Sequence, residues 1–192
     1  ALTGDYLTNE ESFVESPCYD MSSLNYPVVE MNYWANSEFS WDGAALFYSV
    51  DNGLTWVELG DQGDWMNWYN DGTIAGLSGV GSGEGWTGIT QTDWENSRHL
   101  VPALAGEANV KFRVYFGSDG SFQYEGFAFD DFTVRELDLD LAITEINYNA
   151  AETGTDTTEF IEWYNNGSDA VDIGGFYYTQ GVVDTLPSMT IL

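Results

Sequence analysis

The chain has 192 residues, 32 of them acidic and 4 basic, for a formal net charge of −28. Nothing so anionic can neutralise phosphates, which comes close to excluding nucleic acid as a partner, and an anionic bilayer would repel it. With 43% hydrophobic residues, and with eight Trp, twelve Tyr and eleven Phe among 21 Gly, the composition predicts a real core of strands joined by tight turns. Self-repulsion of this size destabilises a compact state unless salt screens it or divalent cations bind it. Cys18 stands alone, so no intrachain disulfide forms; between Pro17 and Tyr19 it is expected as a small buried apolar residue. No apolar run has membrane-spanning length and no basic leader precedes an apolar stretch. Starting at Ala1, the chain is expected to be a mature product or part of something longer, and its scarcity of Lys reads as extracellular or cell-surface.

Taken in order, a first strand ends in Ser12–Ser16, and Pro17–Asp20 leads into a turn. A second strand is predicted from about Val28 to Trp34, with Val29, Met31 and Tyr33 on one face. Ala44–Val50 alternates again, and Asp51-Asn52-Gly53 turns the chain towards Thr55-Trp56-Val57 as a short hairpin. From Gly60 to Asn96 the alternation fails and glycines interleave with tryptophans, which predicts loops wrapped over a sheet, with one short strand near Trp86. Strand pattern returns at Arg98–Leu100. It is clearest at Val110–Phe116, where Lys111 and Arg113 share a face and can pair with carboxylates of neighbouring strands. After the turn at Gly117–Gly120, Phe127–Val134 makes the last strand of this unit, and residues 137–140 are expected as a linker.

Three stretches resemble known families. Ser49-Val50-Asp51-Asn52-Gly53-Leu54-Thr55-Trp56 is similar to the Asp-box hairpin of sialidases, a folding unit that does no chemistry there. That resemblance implies scaffold: the Asp braces the turn amides and the Trp packs beneath it. The succession Ser16–Asp20, Ser40-Trp41-Asp42-Gly43, Tyr48–Trp56, Leu104-Ala105-Gly106, Val110–Val114 and Gly126–Phe132 looks like a MAM-like jelly-roll sandwich over residues 1–136. Such modules are common in secreted proteins of gliding, type IX-secreting bacteria. Leu141–Asn149, Glu159–Gly167 and Ala170–Phe176 resemble the start of a lamin-tail domain, an immunoglobulin-like sandwich, over residues 141–192. A full domain of that kind needs more strands than fit before Leu192, so a truncated or strand-accepting unit is expected.

The MAM-like resemblance implies calcium held by carboxylates, and here it maps onto Asp42, Asp130, Glu38, Glu11 and Asp131. A hard cation of this kind takes six to eight oxygens, which turns beside a sheet edge can supply. Asp130 and Asp131 are adjacent, so on a regular strand they face opposite ways and at most one could enter the sandwich. The aromatic loops offer a second possibility: Trp65, Trp68, Tyr69, Trp86 and Trp94 could stack on sugar rings, with Asn67, Asn70 and Gln91 bonding hydroxyls. Packing over the sheet is the alternative for the same rings.

Catalysis has little support. His99 is the only histidine, and no G-x-S-x-G, H-E-x-x-H or phosphate-binding loop occurs. The expectation is therefore a non-catalytic extracellular segment of a bacterial surface protein or adhesin, stabilised by calcium, whose partner is a glycan, another protein or copies of itself. The alternatives are an accessory segment of a large secreted hydrolase and a polymerising structural subunit.

Overall fold

The alternating stretches become antiparallel sheets in a computed structural model that describes residues 4–89, 93–138, 140–147, 160–171 and 173. The protein is all-β and divides into two units, Ala1–Glu136 and Leu137–Leu192. In the first unit the strands are β1 (Glu11–Glu15), β2 (Pro27–Asn36), β3 (Gly43–Ser49), β4 (Val57–Glu58), β5 (Trp86–Thr87), β6 (Glu95–Leu100), β7 (Lys111–Gly117) and β8 (Gly126–Glu136). One sheet runs β1-β7-β3-β4, with β5 also on β3, and the other runs β6-β2-β8.

Alternation decides what each sheet buries. Val14, Val114 and Leu46 stand in register across β1, β7 and β3 and share one face. On β2 the predicted apolar face, Val29, Met31 and Tyr33, is buried and joins Leu46, Phe112 and Val114 in a single core. Rings bridge the sheets: Phe112 lies 5.3 Å from Phe132, and Tyr33 lies 5.5 Å from Trp86. Each fully buried large side chain of this kind contributes roughly 1.5–3 kcal/mol.

The hairpin predicted around Asp51 forms, with Tyr48 opposite Val57. Asp51 accepts from the Leu54 and Thr55 amides at 3.0 and 2.9 Å and from the Ser49 hydroxyl at 2.7 Å. Trp56 packs against Gly53 on one side and under the Arg113 guanidinium, 3.9 Å from its ring centre, on the other. Arg113 also pairs with Glu15 of β1 at 2.5 Å, the cross-strand partner type that its alternation predicts.

Among the described residues between Gly60 and Asn96, the only regular pieces are a single 3-10 turn, Ala75–Leu77, the two residues of β5 and the start of β6. Backbone contact holds this segment to the sheet. The Gly76 amide donates to the Trp41 carbonyl at 2.8 Å, and Gly76 and Gly117 approach so closely that a methyl on either would meet the other's carbonyl oxygen at 2.5 or 2.1 Å.

Cys18 corrects the sequence reading, because it is exposed, with its sulfur 3.7 Å from Asn109 Oδ1. Its neighbour Tyr19 takes the inward position, pairing with Val110 and packing on Phe112, so alternation turns Cys18 out.

In the second unit, β9 (Leu141–Asn147) pairs antiparallel with β10 (Phe160–Asn165), with a register shift between Glu162 and Trp163. Of the stretch expected as a linker, Asp138 accepts from the Ser168 amide and hydroxyl at 3.0 and 2.6 Å, and the Asp140 carbonyl accepts from the Asn166 amide at 2.8 Å. Val171 and Ile173 are buried. The remainder of the expected lamin-tail start, including Gly174–Phe176, lies outside the described residues.

Candidate metal centre

The turn from β2 to β3 presents two carboxylates on one side. Asp42 N donates to the Glu38 carbonyl at 2.9 Å, a tight i to i+4 closure, and Ser40 takes a left-handed backbone (φ 63°) inside it. The Thr87 hydroxyl caps this turn from β5, lying 2.6 Å from the Asp42 carbonyl, while the Ser37 hydroxyl donates to the same oxygen at 2.9 Å. A third carboxylate arrives from β7. Because Gly117 pairs with Gly43, the loop leaving β7 passes the start of β3, and the Asp119 amide donates to Asp42 Oδ1 at 2.6 Å. Carboxylate oxygens of Glu38, Asp42 and Asp119 all lie within 4.8 Å of one another, and this is the only such acidic group among the described residues.

Burial and charge make the cluster costly as it stands. Asp42 is fully buried; its carboxylate is satisfied by the Asp119 amide on one oxygen and the Tyr6 hydroxyl, at 2.6 Å, on the other. Burial pushes its carboxyl above the usual range against the lowering effect of those two hydrogen bonds. Glu38 is raised as well, first by desolvation and then by the charges of Asp119 and Asp42. Its Oε2 is inaccessible and has no hydrogen-bond partner. Burial and the hydrogen bond to Asp42 raise the Tyr6 phenol likewise.

The donor set fits a hard cation. Three carboxylates, two from the β2–β3 turn and one from the loop after β7, supply oxygens only, with no nitrogen or sulfur ligand, which suits Ca²⁺ rather than zinc. The orphaned Glu38 Oε2 is the kind of atom that a cation or a proton would satisfy.

Of the residues picked from the sequence, Glu38 and Asp42 come together, and Asp119, which was read only as part of a turn, joins them. Asp130, Asp131 and Glu11 are exposed and stand outside the cluster. For the aspartate pair the reason is local. β8 carries a bulge where its register shifts between Glu30 and Asn32, and Asp131 adopts φ 52° there. Adjacent residues therefore do not alternate: Asp131 accepts from Asn32, whose neighbours Met31 and Tyr33 face the core, and Asp130 is exposed too. Neither enters the sandwich.

The aromatic candidates divide similarly. Trp68, Tyr69 and Trp86 are 2%, 1% and 1% exposed, so their faces are spent on the core. Trp68 Nε1 donates to the Leu59 carbonyl and Trp86 Nε1 to the Asn67 carbonyl, both at 3.0 Å, which satisfies the polar edge of each ring. Trp94 is about half exposed. Trp65 lines an open cavity of about 320 Å³ together with Asp64, Asn67, Asn70 and Glu95. Gln91 lies outside the described residues. His99 is held by Asp64 at 2.9 Å and packs on Trp68. Compared with known proteins, the chain matches no family model and no curated protein.

Proposed function

We propose that residues 1–136 form a calcium-stabilised, non-catalytic binding module of MAM-like jelly-roll type, part of an extracellular bacterial surface protein or adhesin, followed by the beginning of a lamin-tail-like unit. The observation that supports this reading best is the Glu38–Asp42–Asp119 cluster: one carboxylate is fully buried, and another has an oxygen that is inaccessible and unbonded. In a chain of net charge −28, a divalent cation at this point would tie the β2–β3 turn to the loop after β7 and relieve part of the self-repulsion. A site built this way clamps structure rather than transforming a substrate. The test is thermal unfolding of the full chain at low salt in EDTA and after adding CaCl2. A ligand that binds only the folded state raises the melting temperature by mass action, and the rise should be absent in Asp42→Asn. No difference between EDTA and Ca²⁺ would remove the proposal.

A second reading, an accessory glycan-binding segment of a secreted hydrolase, draws on the cavity lined by Trp65, Asn67 and Asn70. Glycan-array binding that is lost in Trp65→Ala, with unchanged melting, would favour it.

A further inference from the structure

The two sheets of the first unit do not meet along one side. β1 ends one sheet and β8 ends the other, and neither has a strand partner on its outer edge among the described residues. Val14 lies opposite Val114, which lies opposite Leu46, so its side chain belongs to the core-facing surface; it is nevertheless 59% exposed. Across the gap, Phe127, Phe129 and Phe132 of β8 are only partly covered. The bulge at Asp131 keeps Phe129 and Phe132 on the same side despite their odd spacing. Two adjoining depressions, of about 220 and 140 Å³, share Val14, Val114 and Phe129 and make one apolar groove. Aromatic pairs mark the two ends of the groove. The Tyr6 ring packs on Phe116 at 4.9 Å at one end, and Tyr19 contacts both Phe112 and Phe132 at the other.

We propose that this groove takes up an extended segment of a partner protein in which apolar residues alternate with Lys or Arg, and that the segment adds as a strand to the free edge of β8. Three observations select that occupant. An open strand edge running beside core-facing apolar side chains is matched by a strand, whose backbone pairs with the edge while alternate side chains enter the groove. The span from Phe127 to Phe132 is about 17 Å at the usual strand rise, room for about five residues. Finally, the rim is acidic. Glu11 is exposed on β1, and Asp130 and Asp131 are exposed between the groove phenylalanines Phe129 and Phe132. Of the cations on the flanking strands, Arg113 is engaged by Glu15 and the Phe13 and Trp56 rings, and Arg135 by Glu30. A second copy of the chain would bring its own charge of −28 to this rim, whereas outward-facing Lys or Arg would complement it.

The experiment titrates the full chain, with CaCl2 present throughout so that the outcome is independent of the cation cluster. The probes are three short synthetic peptides: Val alternating with Lys, Ser alternating with Lys, and Val alternating with Glu. Calorimetry at physiological salt should show saturable binding of the Val–Lys peptide only, with the Ser–Lys peptide of equal charge weaker by about tenfold or more. Hydrogen exchange should slow at residues 127–132. Val14→Asp should weaken binding by about tenfold at unchanged melting temperature, since the site is exposed, with Val14→Thr as the milder variant if the first unfolds. Equal binding of the Ser–Lys peptide would reduce the effect to net charge and overturn the proposal. Protection confined to another region would do the same. Sedimentation showing a dimer that Val14→Asp dissolves would assign the groove to a second copy instead.

Discussion

The Tyr6 hydroxyl donates to the Asp42 carboxylate at 2.6 Å and accepts from the Glu38 amide at 3.2 Å, so one phenol from the segment before β1 fixes both ends of the β2–β3 turn. Tyr6→Phe removes a hydrogen bond to a buried charged group and should cost about 1–3 kcal/mol in chemical denaturation. If the cluster binds Ca²⁺, the same substitution lowers calcium affinity while Ca²⁺ still raises the melting temperature.

The cluster also sets a pH dependence. Asp42 and Glu38 both have folded-state pKa values raised above their ordinary ones. Their contribution to stability is therefore fully present below the ordinary carboxylate range and is lost as pH rises through the raised folded-state values. In EDTA, the wild type should gain melting temperature relative to Asp42→Asn as pH falls from 7 towards the ordinary carboxylate values. Ca²⁺ should flatten that difference by stabilising the ionised form. Parallel pH profiles for wild type and Asp42→Asn in EDTA would show that the Asp42 carboxylate is not coupled to folding.

The Asp51 turn behaves in the opposite sense. Hydrogen bonds from Thr55, through its side chain and then its backbone, and from Ser49 lower the Asp51 carboxyl to about 2 from 3.8. Its support is present above the ordinary value and lost as pH falls from 3.8 towards 2. Asp51→Ala should lower the melting temperature at neutral pH and erase that acid-range difference from wild type.

Tyr69 tests the reading of the aromatic loops as core. Its hydroxyl accepts from the Leu46 amide at 2.9 Å and donates to the Leu46 carbonyl at 3.1 Å, with the ring 1% exposed. Tyr69→Phe keeps the ring and strands the buried Leu46 amide, while the Leu46 carbonyl keeps the Leu59 amide at 2.9 Å, so denaturant unfolding should show a loss of about 2 kcal/mol. A neutral result would mean that the segment is not packed on β3 as described.

Gly76 and Gly117 test the closest backbone approach in the sandwich. Gly76→Ala would put a methyl 2.5 Å from the Gly117 carbonyl oxygen, and neither strand nor loop can yield a side chain to relieve it. A loss of about 3 kcal/mol or more is expected, at the upper end for overpacking.

What could be read in the chain beforehand follows from the range of the forces involved. The hairpin at Ser49–Trp56 was legible because its hydrogen bonds close within six residues, and Val29, Met31 and Tyr33 were legible because alternation is a local property. Glu38 and Asp42 share one turn, so their partnership could be seen. Asp119 was not visible, because it reaches them only through the β7–β3 register, which brings Gly117 to Gly43 across 74 residues (117 less 43). Asp130 and Asp131 were misplaced by a bulge for which a run of alternating residues gives no signal. The burial of Trp68 and Trp86 depends on a long irregular segment folding back over β3, and aromatic composition alone fits a binding face equally well.

The scarcity of basic residues has a consequence for how the chain would meet proteases. Arg98 lies in β6, Lys111 and Arg113 in β7 and Arg135 in β8, so every bond that trypsin could cut is inside a hydrogen-bonded strand. The long glycine-rich segment, where nicking would otherwise begin, offers such an enzyme no cleavable bond from Gly60 to Ser97. Tryptic cleavage of the native protein therefore waits on the opening of a sheet, which makes its rate a gauge of how often the sandwich comes apart.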